Sequence, residues 1–328
     1  MTIAETNPVR WGILGASKFA REQMAPAIHM AEGAVLAGLA TSDVRKAAPF
    51  QALAPGLRVF DSYDTLLSDP DIDAVYVPLP NHLHVEWTLK ALAAGKPVLT
   101  EKPVGLDDGD FDRLIEARDR AGLLAAEAYM ILHHPQWLKV RALIAEGAVG
   151  RLQQVTGVFT YNNASKPDNI RNRPETAGGG IRDIGVYPFG ATRYVLGAEP
   201  DEVAADITWE NGVDTVANVR ARFGNVRLDA LISMRMHLTQ DMVFLGDTGR
   251  LTVHAPFNAI TYGEARLTLD TGEGQRVWRF TDAQQYVGQV EAFVRSLRTG
   301  SDYPVPLEFS RGTQRMIDMA FANANPPR

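Results

Sequence analysis

The residues that first suggest chemistry lie at the end of the opening apolar run. "VRWGILGASKFA" (Val9–Ala20) reads as a buried strand turning into a helix through Gly12, Gly15, Ser17, Lys18, Phe19 and Ala20. A dinucleotide-binding turn is written G-x-G-x-x-G or A. Gly15 fills its first place and Ala20 its last, while Ser17 stands where the second glycine belongs. The first glycine permits the tight turn, and the last small residue lets helix and strand pack closely. The Ser17 hydroxyl could donate to a pyrophosphate where the glycine backbone otherwise approaches it. Such a turn would place phosphate at a helix N-terminus, which binds anions without any basic surface.

The end of the second predicted strand bears on which cofactor fits. NAD enzymes place a carboxylate there for the ribose 2′-hydroxyl. Here the strand ends in Thr41 and Ser42, with no carboxylate before Asp43. Ser42, Arg45 and Lys18 could instead receive a 2′-phosphate. The expectation is therefore NADP, with NAD possible. His82 with His84, and His133 with His134, are histidine pairs that no carboxylate or thiolate cluster completes, so no metal is expected.

The elements that must position these residues follow from the pattern along the chain. Short apolar runs starting at Val9, Ala34, Asp73, Lys96 and Leu123 alternate with helical stretches. That alternation predicts βαβ units and a doubly wound parallel sheet. One more helix, about Gln136 to Glu146, precedes strand-rich sequence from Arg151. In "VRLDALISMR", Val226, Leu228, Ala230, Ile232 and Met234 share one face. The period of two predicts an antiparallel sheet with one covered face. Further strands are expected from Leu152, Thr215, Asp241, Arg250 and Arg266, and helices over about 283–297 and 313–321. The fold class expected from this pattern is α/β, a doubly wound parallel sheet followed by a mostly antiparallel one. The expected domains are 1–125, binding dinucleotide, and 126–328, binding substrate and forming an oligomer.

Bulk composition bounds the function. The chain has 328 residues, 45 % hydrophobic and 22 % charged, an ordinary globular balance. It has no cysteine, which excludes disulfides and thiolate metal sites. A net charge of −6 with scattered basic residues argues against nucleic acid or an anionic membrane as partner. The sequence has no run long enough to cross a membrane and no signal-peptide core at its start, so a cytoplasmic location is expected.

Three more segments carry a resemblance: "PLPNHLH" (Pro78–His84), "EKP" (Glu101–Pro103) and "GGGIRDIGVY" (Gly178–Tyr187). With the glycine turn, in this order, the chain resembles the Gfo/Idh/MocA family of oxidoreductases along nearly its whole length, which implies an N-terminal Rossmann domain plus a C-terminal α/β domain with a large, mostly antiparallel open sheet. The resemblance implies that Lys102 serves catalysis and that Glu101 contacts the cofactor. It also implies that Asn81 and His84 line the nicotinamide side of a cleft, and Pro80 beside them is expected to bind the cofactor. Asp183 and Tyr187 match a D-x-x-x-(H or Y) element. Tyrosine there is similar to the branch of glucose-fructose oxidoreductase, aldose dehydrogenases and dimeric dihydrodiol dehydrogenase. The chain departs from the family pattern at Ser17, and at Leu132, where relatives often carry Arg before a His-Pro pair.

The chemistry fits that implication. Oxidising an alcohol needs a hydride acceptor and a base for the hydroxyl proton. Tyr187 could exchange the proton if a neighbouring ammonium acidifies it, and Lys102 could be that ammonium. Asp183 would hold the lysine charged and anchor a substrate hydroxyl. The polar loop from Asn162 offers Asn169, Arg171 and Arg173 to a polyhydroxylated small molecule. The expected activity is an NAD(P)-dependent aldose 1-dehydrogenase giving a lactone. Alternatives are a dihydrodiol or anhydrosugar oxidoreductase, an NAD-dependent glycoside hydrolase, or a non-catalytic cofactor sensor. A homodimer or homotetramer is expected, pairing a charged sheet face formed by Arg220, Arg222, Arg227, Asp229 and Arg235.

Overall fold

The structure, a computed structural model, describes residues 7–324. The chain forms two compact units. One comprises the residues up to His133 with Gln284–Ser310; the other comprises His134–Ala283 with the residues from Arg311 onward.

The first unit is built on strands β1 (Val9–Leu14), β2 (Ala34–Ala40), β3 (Arg58–Phe60), β4 (Ala74–Val77), β5 (Val98–Glu101) and β6 (Ala125–Ala128). Their order is β3-β2-β1-β4-β5-β6, and every pairing is parallel. This is the doubly wound order, in which the chain reverses direction across the sheet between β1 and β4. Strand sequences such as "AVYV" are buried throughout, as a sheet covered on both faces requires. The helix Asp108–Ala121 shows how local sequence sets its limits. The Asp107 side chain accepts from the Asp110 amide at its start, and Gly122 ends it in the left-handed conformation. A cut at residue 125 leaves the helix Gln285–Thr299 with the second domain. In the structure that helix belongs to the first unit, where Phe293 packs on Trp11 of β1 with ring centres 5.0 Å apart.

The second unit carries β7 (Leu152–Asn162), β8 (Glu202–Glu210), β9 (Val213–Phe223), β10 (Val226–Ser233), β11 (Arg235–Gly246), β12 (Gly249–His254), β13 (Arg266–Thr271) and β14 (Gly274–Arg279). The order is β14-β13-β12-β11-β7-β10-β9-β8. All neighbours run antiparallel except β10 against β7, which is parallel. Alternation alone cannot reveal that exception, because a one-sided strand reads the same in either direction. Leu228, Ala230, Ile232 and Met234 are buried as expected, and so is Ser233 between the last two of them. Arg235, expected on the charged face, opens β11 rather than closing β10. Its guanidinium is tied to Glu210, Asn163 and Asn172. The helix Val186–Leu196 packs on β7 and is almost wholly buried. Among the described residues no helix is long and apolar enough to cross a membrane.

Candidate active site

In the first unit the expected cofactor residues gather at the carboxyl ends of strands, most of them just beyond. Gly12 lies within β1, and Gly15 to Ala20 follow it. Thr41, Ser42 and Arg45 follow β2; Pro80, Asn81 and His84 follow β4; Glu101 ends β5, and Lys102 comes next. In open α/β sheets ligands bind at this edge, where the strand order reverses.

The turn after β1 is tight and closely packed. Gly15 has φ +107°, and a Cβ there would stand 3.1 Å from Leu79 and 3.3 Å from the Tyr63 hydroxyl. Its amide donates to the Ala40 carbonyl, which fastens the turn to β2. The Ser17 hydroxyl accepts from the Ala20 amide at 3.0 Å, so it caps the following helix and keeps its own proton to donate. Lys18 is exposed beside Glu22, and Phe19 stands edge-on to Tyr286.

After β2, Thr41 is buried and its hydroxyl accepts from the Asp43 amide. Asp43 caps the short helix Val44–Ala47 and takes a two-pronged contact from Arg45, 2.9 Å and 3.0 Å. Arg45 is therefore engaged in this state, though its side chain is 91 % exposed. Ser42 is exposed.

His84 occupies an enclosed position. It is 1 % exposed, with Nδ1 2.8 Å from the Pro103 carbonyl and Nε2 2.7 Å from the Leu79 carbonyl. It thus joins the loop after β4 to the turn bearing Lys102. Burial pushes its pKa down to about 4, while the two carbonyls pull the other way, since only the imidazolium can donate to both.

Next to Lys102, burial pushes the Glu101 carboxyl up to about 7. The Tyr76 hydroxyl opposes this by donating to Glu101 Oε1 at 2.6 Å, and Lys102 opposes it through its charge. Glu127, itself buried and accepting from the Val104 amide, adds to the rise. Neither Tyr76 nor Glu127 was singled out by sequence. The available signal was a carboxylate inside the apolar run "LLAAEAY".

In the second unit the loop and the glycine segment come together around Asp183. Arg171 Nε donates to Asp183 Oδ2 at 2.6 Å, and the Tyr161 hydroxyl donates to the same oxygen at 2.7 Å. The Asp183 charge, then the oxygens of Tyr161 and Tyr187, hold the Arg171 guanidinium above its ordinary pKa against burial. Burial, with Asp183 beside it, pushes the Tyr161 phenol up. Tyr161 therefore stays protonated and donates a hydrogen bond to the carboxylate. Tyr187 is buried between Phe159 and Phe257, each with ring centres 5.4 Å away.

Other loop residues have local duties. The Asn169 amide oxygen accepts from the Arg171 backbone, and Arg173 pairs with Glu175. Trp137 is fully buried and donates to the Pro256 carbonyl, a packing role. Asp183 and Tyr187 lie on one helical segment, and it does not begin at Asp183. It starts earlier, with a π-turn over Ile181–Gly185 that runs into Val186–Leu196.

These parts match known proteins. Residues 9–129 match the model described as an oxidoreductase family with an NAD-binding Rossmann fold, and residues 137–252 match the GFO/IDH/MocA C-terminal domain. An uncharacterized oxidoreductase of Rhizobium meliloti is 37 % identical over 94 % of this chain and 95 % of its own. The D-xylose 1-dehydrogenase (NADP(+)) 2 of Haloferax volcanii is 32 % identical over 96 % of this chain and 97 % of its own. A 3-ketoreductase from Actinomadura kijaniata, solved with NADP and TDP-benzene, superposes with TM-score 0.91. It is 29 % identical, covering 97 % of this chain and 98 % of that one. The chain belongs to the Gfo/Idh/MocA family of oxidoreductases, with an NAD-binding Rossmann domain followed by that family's C-terminal domain.

Proposed function

We propose that this chain is an NADP-dependent sugar oxidoreductase acting as an aldose 1-dehydrogenase, with a lactone as product. One observation carries the reading: Asp183 Oδ2 is gripped by both Arg171 and Tyr161 four residues before Tyr187. A carboxylate held with its charge balanced suits a hydroxyl-rich, uncharged substrate, because carboxylate oxygens accept from sugar hydroxyls. The nicotinamide, when bound, supplies the hydride acceptor. Gly15, Ser17 and the start of the following helix hold the pyrophosphate; Thr41, Ser42 and Arg45 meet the ribose phosphate. Lys102 polarises the reacting oxygen, and Tyr187 takes the hydroxyl proton. The dinucleotide falls to the first unit, which takes in residues 1–125, and substrate and assembly fall to the second, in a cytoplasmic homodimer or homotetramer. Light scattering that returned the 35.9 kDa monomer mass at micromolar concentration would contradict the assembly.

A second reading has specific support. The neighbour solved with TDP-benzene is a 3-ketoreductase, so the same groups could return a hydride to a ring ketone of a nucleotide-linked sugar. The experiment that separates the two follows cofactor absorbance in both directions. A panel of pentoses, hexoses and polyols is offered with NADP, and a 3-keto nucleotide sugar with NADPH.

A further inference from the structure

The helical segment that carries Asp183 and Tyr187 begins at three glycines, none of which has a side chain to cap it. Helix N-termini leave backbone N–H groups without internal partners, and buried ones need an acceptor. The acceptor comes from the sheet. Asp214, second residue of β9 and 2 % exposed, accepts from the Ile181 amide through Oδ2 at 2.6 Å. The Gly180 amide also donates to this carboxylate.

The fit around Asp214 explains the glycines. A Cβ on Gly179, which has φ +113°, would lie 2.0 Å from Asp214 Oδ1. A Cβ on Gly178 would lie 2.5 Å from the Arg171 carbonyl. The turn is thus wedged between the loop bearing Arg171 and the carboxylate of Asp214. Downstream the fit is looser, and a Cβ on Gly185 would stand 3.0 Å from the Ile232 side chain on β10.

We infer that Asp214 is a positioning residue: a cap delivered from the sheet that fixes the height and rotation of the segment presenting Asp183 and Tyr187. Its catalytic meaning rests on the reading of those two residues given above. Burying a carboxylate is costly unless donors surround it. Here two backbone amides do so at a place where a buried apolar residue would leave them unpaired. Removing a helix cap shifts an equilibrium by about tenfold.

The test compares Asp214→Ala and Asp214→Asn in the full-length protein. The amide exchange of residues 179–187 is measured without substrate, NADP binding by fluorescence, and turnover with the best aldose of the panel. With Asp214→Ala, exchange in 179–187 should speed up about tenfold while the rest of the second unit stays protected. kcat should fall by a similar factor, with KM and NADP affinity nearly unchanged. Asp214→Asn keeps an acceptor oxygen and should recover most of both. If Asp214→Ala does not fold, Gly179→Ala, which drives a Cβ into the carboxylate, must show the same local loosening. Wild-type exchange in 179–187, loosening spread evenly over the unit, or no recovery with asparagine would each overturn the assignment. If Tyr187→Phe keeps full turnover, the catalytic reading fails, while the exchange comparison still decides whether Asp214 is the cap.

Discussion

Arg171 and Asp183, twelve residues apart in sequence, share a hydrogen bond of 2.6 Å on an oxygen that also accepts from Tyr161. The three side chains form one charge-balanced group, and Tyr187 follows on the same helical segment. Hydrogen bonds to charged groups contribute about 1.5–3 kcal/mol. Arg171→Ala should therefore lower kcat/KM for the sugar roughly 10- to 100-fold, while NADP affinity measured by fluorescence stays within twofold. Equal losses in sugar turnover and cofactor affinity would place Arg171 outside the substrate site.

Cofactor choice should turn on Arg45. Its guanidinium is held by Asp43 but remains exposed, so a 2′-phosphate can compete for it. NADP should bind tighter than NAD, and Arg45→Ala should weaken NADP by about tenfold while leaving NAD nearly unchanged. Titration of both cofactors against both proteins checks it; a wild-type preference for NAD would contradict the assignment.

Acid should loosen the second unit through His134. Its Nδ1 accepts from the Gln136 amide and so caps the helix Pro135–Ala145, a role only the neutral ring can fill. Burial pushes its pKa from 6.5 down to about 4. A lowered histidine contributes stability that is present above about 6.5 and is lost as pH falls toward 4. His134→Asn preserves a capping oxygen without the proton site, so its Tm should fall less than wild type between about pH 7 and pH 5.

Glu101 works in the opposite direction. Its carboxyl, raised from 4.5 to about 7, contributes stability that is complete below 4.5 and declines as pH rises through 7. Tyr76→Phe removes a donor that favours the charged form, raising this carboxyl further. The variant should lose more Tm between about pH 6 and pH 8 than wild type. An unchanged pH slope would mean that Tyr76 does not govern the ionisation of Glu101.

The glycine turn, the parallel sheet and the segments around Lys102 and Tyr187 were legible because each depends on local sequence: a turn glycine, an unbroken apolar strand, a short motif. What was not legible depends on pairings across many residues. Tyr161 reads as one more residue of an alternating strand until the fold brings it to Asp183, 22 positions away. Asp214 reads as a polar residue entering β9 until Ile181 is placed against it, 33 positions away. The direction of β10 against β7 and the return of the helix Gln285–Thr299 to the first unit are likewise set by tertiary packing.

The most direct test of the account is NADP reduction by wild type and Tyr187→Phe across the panel of pentoses, hexoses and polyols, read by absorbance. Wild type should reduce NADP with at least one aldose and release a lactone. Tyr187→Phe, folded and with normal cofactor affinity, should turn over about 10²–10⁴-fold more slowly, the factor general acid–base catalysis supplies. If no aldose supports reduction while a 3-keto nucleotide sugar oxidises NADPH, or if Tyr187→Phe turns over like wild type, the account is contradicted.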